Sequence, residues 1–170
     1  MEDVSFDPDP GLTGSSADCQ AEAAARLAIK ILSKNPKGFF LMIEKDTHTD
    51  NPKKGLENMV AFDKLIREIL TLVDPKETLL LFTADHSFDF RLVGAGPDDP
   101  MLKGLDEWEA QSADVRKQGL RIPSMRMNNS HTGEEVLVAA TGPGSEQVHG
   151  YMPNTKLFEI MLNAWGWPKK

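Results

Sequence analysis

The sequence predicts an α/β fold in which helices flank a mostly parallel β-sheet. Three short apolar runs show no alternation of polar and apolar residues, which is typical of strands buried on both faces. Amphipathic stretches lie between the first two runs and after the third, and strands separated by helices favour parallel pairing with right-handed crossovers. The three predicted strands cover residues 38–43, 78–83 and 136–140.

Helices are predicted before, between and after these strands. Ser16 is a suitable N-cap for an alanine-rich helix that reaches Leu32. Pro36 ends this helix because proline disfavours helical geometry in the residue before it. Residues 56–72 carry an apolar stripe at helical spacing, and a last helix is predicted over residues 153–165.

The chain divides into a lead-in and one domain. Residues 1–15 are rich in Asp, Pro and Gly, and this composition predicts a flexible lead-in. Residues 16–170 are predicted to form the domain itself. Within it, residues 88–130 are polar and rich in Gly, Asp and Pro, which predicts a long loop of the kind that carries function.

The composition argues against several classes of protein. No apolar run reaches the roughly 18 residues that a membrane-spanning helix needs. The net charge of −7 argues against a nucleic-acid-binding protein, which would be expected to carry a basic stripe. The single cysteine, Cys19, excludes intramolecular disulfides and cysteine-based zinc sites. The first residues lack the basic and apolar regions of a signal peptide.

Histidines and carboxylates collect where the predicted strands end. Glu44 directly follows the first strand, Asp85 and His86 follow the second, and His131 lies just ahead of the third. Ligands of open α/β sheets bind beyond the carboxyl ends of the strands, and imidazole with carboxylate is a donor set for zinc and other first-row metals. Each residue alone has an ordinary structural explanation as a turn or surface residue. The prediction of a metal site therefore depends on their convergence at one sheet edge.

Three segments of the chain resemble the alkaline phosphatase family. Residues 83–87, Thr-Ala-Asp-His-Ser, are similar to the metal-binding turn that follows a buried strand in that family. Residues 131–136, His-Thr-Gly-Glu-Glu-Val, are similar to its His-x-Gly-Glu-Asp-Val segment, and residues 38–44 resemble its Gly-Phe-Phe-Leu-Met-Val-Glu strand. The order and approximate spacing of the segments also match, and the resemblance extends over residues 24–167.

The resemblance implies a phosphomonoesterase with two zinc ions and one magnesium ion at each complete site. Two such zinc ions clamp the attacking and leaving oxygens of the phosphoryl group. Position by position, Asp85 and His86 would bind the zinc that activates the nucleophile, His131 would bind the other zinc, and Glu44 would bind magnesium. The expected partners are a small phosphomonoester substrate and either a second copy in a homodimer or the missing N-terminal half. Full-length relatives are commonly periplasmic or secreted.

The chain departs from the family pattern after Glu44. The family usually has an aspartate five residues after this glutamate and a histidine four residues beyond the aspartate. Here Asp50 lies six residues after Glu44, and Lys54 stands where the histidine would be. We interpret Asp50 as a metal ligand. Two alternatives remain for the missing imidazole: His48 supplies it, or Lys54 reaches the phosphate and the zinc is bound more weakly.

A larger departure concerns the nucleophile. The family's attacking serine lies in an N-terminal half that this sequence does not match, and no serine here lies in a comparable turn. The sequence therefore predicts an incomplete alkaline-phosphatase-like domain: a fragment, a truncated product or one half of a split enzyme. Its predicted function is metal-dependent phosphomonoester hydrolysis, with this chain supplying most metal ligands and little turnover alone. The alternatives are a non-catalytic metal- or partner-binding domain and a related sulfatase or phosphodiesterase-type hydrolase.

Overall fold

The computed structural model describes residues 15–47, 51–94 and 96–167. Its contacts divide the chain into one unit of Met1–His48 with Leu56–Thr78 and another of Thr49–Gly55 with Leu79–Lys170. The described elements, in chain order, are α1 (Ser15–Leu32), α2 (Pro52–Leu72), β1 (Leu80–Thr83), β2 (Arg91–Leu92), α3 (Leu105–Glu109), α4 (Ala113–Arg116), β3 (Leu120–Ile122), β4 (Met125–Met127), β5 (Val138–Thr141), a 3-10 turn (Ser145–Gln147) and α5 (Lys156–Ala164). Apart from Ser15, the predicted lead-in lies outside the described residues.

The first unit is built from α1 and the larger part of α2, and both helices agree with the predicted ones to within a few residues. Ala25, Ile29 and Leu65 are its buried apolar residues. An ion pair between Arg26 and Glu68 joins α1 to α2. Part of the predicted apolar stripe of α2 stays in contact with solvent, because three of its residues are 43–57% exposed: Leu56, Met59 and Val60.

Residues 38–43, the first predicted strand, form no strand in the described part of the chain. A strand requires a hydrogen-bonded neighbour, and no described segment pairs with this one. The side chains of Phe40 and Met42 are accordingly 49% and 75% exposed. Residues 38–43 are apolar as the sequence shows, but among the described residues they are neither buried on both faces nor paired with another strand.

The other two predicted strands are present, but their pairing is antiparallel. β1 pairs with β5 in a two-stranded sheet, with Leu80 opposite Thr141 and Thr83 opposite Val138. The prediction of a mostly parallel sheet is therefore not met among the described residues, where every strand pairing is antiparallel. The physical reason is that an apolar run indicates burial and carries no information about the direction of the neighbouring strand.

Residues 88–130, for which the sequence predicts a long loop, contain a three-stranded antiparallel sheet with the order β2-β4-β3 and the helices α3 and α4. α3 places two residues, Leu105 and Trp108, three positions apart on one helix face. The indole N–H of Trp108 donates to the carbonyl of Gly119 at 3.3 Å. These elements enclose a small core of five buried residues: Leu105, Trp108, Leu120, Ile122 and Met125.

The C-terminal helix α5 is anchored by Ile160, which is completely buried. The rings of Trp165 and Trp167 lie 4.7 Å apart just beyond its end. None of the helices in the described ranges is both long and apolar enough to cross a membrane.

Candidate functional site

The antiparallel pairing of β1 with β5 brings two predicted metal-binding segments together. Asp85 and His86 follow the end of β1, whereas His131 precedes β5. In a parallel pair these positions would lie at opposite edges of the sheet, but in an antiparallel pair they lie at the same edge. A β-bridge between Ser87 and Thr132 continues this alignment, with N–H···O distances of 3.3 and 3.0 Å.

Two imidazole rings stack at this edge. The centroids of His86 and His131 are 3.9 Å apart and the ring planes differ by 23°. Phe88 meets both rings edge-on, at 5.2 Å from His86 and 5.5 Å from His131. Edge-to-face contacts of this kind are favourable because the edge of one ring carries the opposite partial charge to the face of the next. Phe88 therefore helps to hold the two imidazoles in place.

Asp85 contacts His86 through both carboxylate oxygens. Its Oδ1 accepts the backbone N–H of His86 at 3.0 Å, and its Oδ2 lies 3.2 Å from His86 Nε2. The other ring nitrogen, Nδ1, lies 3.2 Å from the carbonyl oxygen of Ser87. When Nδ1 carries the proton and donates to that carbonyl, Nε2 is left with a free lone pair beside the carboxylate.

Glu134 places a negative charge beside the bridge between Ser87 and Thr132. The hydroxyl of Thr132 donates to Glu134 Oε1 at 2.9 Å. Hydrogen bonds from the hydroxyls of Ser87 and Thr132 lower the pKa of Glu134 to about 2, because they stabilise its ionised form. Glu134 therefore keeps its negative charge further into the acid range than an ordinary glutamate.

Asp89 links this site to the three-stranded sheet. Its backbone has a positive φ of 50°, and its N–H donates to the hydroxyl of Thr132 at 2.6 Å. One carboxylate oxygen accepts from Arg91 Nε at 2.7 Å, and the other accepts from Asn128 Nδ2 at 3.1 Å. The positive φ turns the chain between the histidine site and β2.

The donor pair Asp85 and His86 fits one zinc ion. Donors on a tetrahedral zinc with bonds near 2.0–2.1 Å are about 3.3 Å apart, and Asp85 Oδ2 and His86 Nε2 are separated by 3.2 Å. His131 supplies a further imidazole at the adjacent position. In the part of the chain that the structure describes, no group of three or more His, Cys, Asp or Glu could complete a metal site. The described residues thus bring potential zinc ligands together without forming a complete metal site.

Of the remaining predicted site residues, the structure describes Glu44 and Lys54. Glu44 is exposed in the first unit, outside any strand. Lys54 lies in the first turn of α2, where its backbone N–H donates to Asn51 Oδ1 at 2.9 Å. His48 and Asp50 lie outside the described residues, so their predicted ligand roles remain predictions.

Three residues of the site had no role in the sequence-based prediction: Phe88, Asp89 and Glu134. A usable signal existed for Glu134, because it lies two positions after Thr132 and alternate residues of an extended segment share a face. Phe88 and Asp89 could not be found in this way, since their roles depend on the bridge between Ser87 and Thr132, which joins distant segments.

Comparison with known proteins bears out the resemblance of the sequence motifs. The family model described as alkaline phosphatase matches residues 15–122, which leaves His131 beyond the matched range. The alkaline phosphatase of Escherichia coli strain K12 is 32% identical over 145 residues, an alignment that covers 82% of this chain and 30% of the relative. The tissue-nonspecific alkaline phosphatase isozyme of Felis catus is 27% identical over 190 residues, covering 88% of this chain and 36% of the relative.

These alignments cover most of this chain but only part of each relative. The human tissue-nonspecific isozyme is 27% identical over 178 residues, covering 81% of this chain and 34% of the relative. The chain thus spans about a third of the length of the curated relatives it matches. Because the family model matches well over half of the chain and the relatives align along most of it, the predicted membership is confirmed. The chain belongs to the alkaline phosphatase family.

Proposed function

We propose that this chain contributes metal ligands to the hydrolysis of phosphomonoesters. The observation that carries the proposal is the meeting of Asp85, His86 and His131 at one sheet edge, where one carboxylate and two imidazoles come together. Membership of the alkaline phosphatase family supports the reaction class. It also supports hydrolase chemistry of the phosphatase type over the sulfatase and phosphodiesterase alternatives.

In this proposal Asp85 and His86 hold one zinc ion and His131 holds a second. Bound zinc would supply Lewis acidity toward phosphoryl oxygens and lower the pKa of coordinated water. In the tautomer that carries the proton on Nδ1, His86 donates to the Ser87 carbonyl and its Nε2 lone pair is available to coordinate zinc. Phe88 restricts the rotation of both imidazoles through its edge contacts.

The rest of the proposed site rests on the family resemblance alone. Glu44 is proposed as a magnesium ligand and Asp50 as a further metal ligand. His48 and Lys54 remain the alternatives for the position at which the family usually has a histidine. The proposal assigns no nucleophilic serine in this chain. The attacking serine would come from the N-terminal half of the family, which this chain does not match.

Zinc binding tests the ligand assignment without depending on turnover. A competition titration with a zinc-chelating dye would compare the wild type with His86→Ala, His131→Ala and His149→Ala. The first two variants should each bind zinc at least about tenfold more weakly, because each loses an imidazole donor. His149 is an exposed histidine to which no ligand role is assigned, and it serves as the matched control. Wild-type affinity in His86→Ala would contradict the assignment.

Hydrolysis of p-nitrophenyl phosphate with added zinc and magnesium tests the reaction itself. The chain would be assayed alone and after mixing with a chain that carries the serine-bearing half of a relative. We expect background rates alone and a zinc-dependent increase with the added half, which His131→Ala abolishes and His149→Ala retains. Zinc binding without any recovered hydrolysis would favour the non-catalytic metal-binding alternative.

A further inference from the structure

Three arginines stand side by side across the three-stranded sheet. Arg126 of β4 lies opposite Arg91 of β2 on one side and opposite Arg121 of β3 on the other. Residues in register on neighbouring strands point to the same face of a sheet. All three arginines are exposed, whereas the alternate residues of β3 and β4 are buried in the core on the opposite face. We call Arg91, Arg126 and Arg121 the arginine row.

The arginine row is unfavourable for the sheet itself. Side chains directly opposite each other have Cβ atoms about 4.5–5.5 Å apart, and like charges in such pairs are destabilising. Asp89 balances Arg91 through an ion pair of 2.7 Å. Within the described ranges, neither Arg121 nor Arg126 has an ion pair or a hydrogen bond from its side chain to any other residue. Among the residues that the structure describes, these two adjacent guanidinium groups have no compensating charge.

The spacing of the arginine row indicates the kind of anion that would compensate it. Neighbouring strands are about 4.8 Å apart, so three positions span about 10 Å. Carboxylates on one face of an extended peptide recur only about every 6.6 Å, which is wider than the spacing of about 4.8 Å between neighbouring arginine positions. Directly linked phosphoryl groups place their charges closer together, and the planar guanidinium fork binds phosphate oxygens in pairs.

The charge of the whole chain limits the length of the ligand. A net charge of −7 repels a long polyanion before it reaches a local cationic surface. A short anion is less affected, because it needs to approach only the row itself. We propose that the arginine row binds a short phosphate chain of two or three linked phosphoryl groups, either free or attached to a larger molecule.

This binding site uses other side chains than the proposed metal site, although Asp89 pairs with Arg91 and also donates its backbone N–H to Thr132. It requires no metal, and none of its arginines belongs to the Asp85, His86 and His131 cluster. The two proposals therefore fail separately: loss of zinc binding would leave the arginine row untouched, and loss of triphosphate binding would leave the metal ligands untouched.

Isothermal titration calorimetry of the chain with inorganic triphosphate, without added metal, tests the proposal. Arg121→Gln and Arg126→Gln should each weaken binding about tenfold, because each removes one charge-assisted contact. Arg67→Gln removes an arginine that is 75% exposed on α2 and paired with Asp63, so it should bind triphosphate like the wild type. Wild-type binding in both row variants would overturn the proposal.

A substitution that removes a negative charge beside the arginine row distinguishes ligand binding from a structural role. Asp89→Asn removes the charge that balances Arg91 and should tighten triphosphate binding several-fold. Asparagine also tolerates the positive φ at this position. If the row mattered only for folding, Asp89→Asn and Arg126→Gln would change binding in the same direction, and that result would contradict the proposal.

Two further ligands define what is recognised. Citrate carries three carboxylates and should bind much more weakly than triphosphate; equal binding would overturn the choice of a phosphate chain. Adenosine triphosphate distinguishes an attached phosphate chain from a free one. If it binds as tightly as triphosphate, the result supports a phosphate chain attached to a larger molecule; if it binds more weakly, the result supports a free phosphate chain. Near-ultraviolet circular dichroism of Trp108 checks that each variant is folded, and Arg→Lys at the same position replaces any variant that is not.

Discussion

The imidazole rings of His86 and His131 stack face to face, 3.9 Å apart, although one follows β1 and the other precedes β5. Their contact depends on the antiparallel pairing of these strands and on the bridge from Ser87 to Thr132. A ring stacked on another alters the magnetic environment of its protons. Each histidine is therefore a probe of whether the other is in place.

Replacing His131 by alanine should change the spectrum of His86. The His86 ring protons lose the shielding of the stacked ring, so their ¹H resonances should move downfield in a ¹H–¹³C correlation spectrum. His149→Ala should leave the same resonances where they are in the wild type. Unshifted His86 resonances in His131→Ala would mean that the two rings do not stack in solution.

Glu134 should make the stability of the second unit depend on pH in the acid range. Its pKa of about 2 is below the ordinary value of 4.5 because Ser87 and Thr132 donate to the ionised carboxylate. The stabilisation is therefore present above pH 4.5 and is lost as the pH falls from 4.5 toward 2. We expect the thermal midpoint of the wild type to fall more steeply over this range than that of Glu134→Gln.

A neighbouring glutamate provides the control for this pH dependence. Glu135 is also exposed, so Glu135→Gln changes the net charge by the same amount without removing the bonds from Ser87 and Thr132. Thermal unfolding between pH 6 and pH 2 would be followed by circular dichroism. If Glu134→Gln and Glu135→Gln gave the same slope, the assignment of the acid-range effect to Glu134 would be wrong.

The arginine row predicts a variant that is more stable than the wild type. Arg126→Gln removes the central charge and should raise the free energy of unfolding by up to about 1 kcal/mol at low ionic strength. The gain should shrink at high ionic strength, since salt screens the repulsion between exposed charges. Urea unfolding at both salt concentrations measures this difference, and a variant less stable than the wild type at low salt would contradict it.

Sequence reasoning located the long helices because they carry their own signal. The apolar stripe of α2 and the alanine-rich stretch of α1 are local patterns of period 3.6, and both helices lie within a few residues of the predicted bounds. Their packing was less predictable. Leu65 is buried as expected, but Val60 on the same stripe is 57% exposed.

Strand direction and the content of residues 88–130 required information that local patterns lack. The apolar runs at β1 and β5 predict burial, but antiparallel pairing follows from how the intervening chain returns. β2, β3 and β4 are two or three residues long, too short for any periodicity to appear. They are stabilised by a core around Trp108 whose members are scattered along the segment.

In the candidate site, too, some residues could be predicted from local sequence and others could not. Asp85, His86 and His131 were found because each lies beside a strand and carries metal-binding chemistry. The residues around them were missed, because Asp89 and Glu134 act through hydrogen bonds to Thr132, which is close in space to the β1 end only after folding.

Gly119 should be the least replaceable glycine of the three-stranded sheet. It has a φ of +99°, and a Cβ atom built there would lie 2.0 Å from the carbonyl oxygen of Met127. Gly119→Ala therefore combines an unfavourable backbone conformation with a backbone clash that no side-chain rotation relieves. The two effects should cost more than about 2 kcal/mol and separate β3 from β4.

Gly94 provides the matched control, because a Cβ atom there meets nothing within 4 Å. Gly94→Ala should unfold in urea like the wild type, whereas Gly119→Ala should unfold at a much lower concentration. Trp108 reports the change directly, since its indole N–H donates to the Gly119 carbonyl at 3.3 Å. A decrease in near-ultraviolet circular dichroism, to which Trp108 contributes, in Gly119→Ala alone would tie the clash to the core of residues 88–130. Equal stability of the two variants would show that β3 and β4 do not approach each other as closely as described.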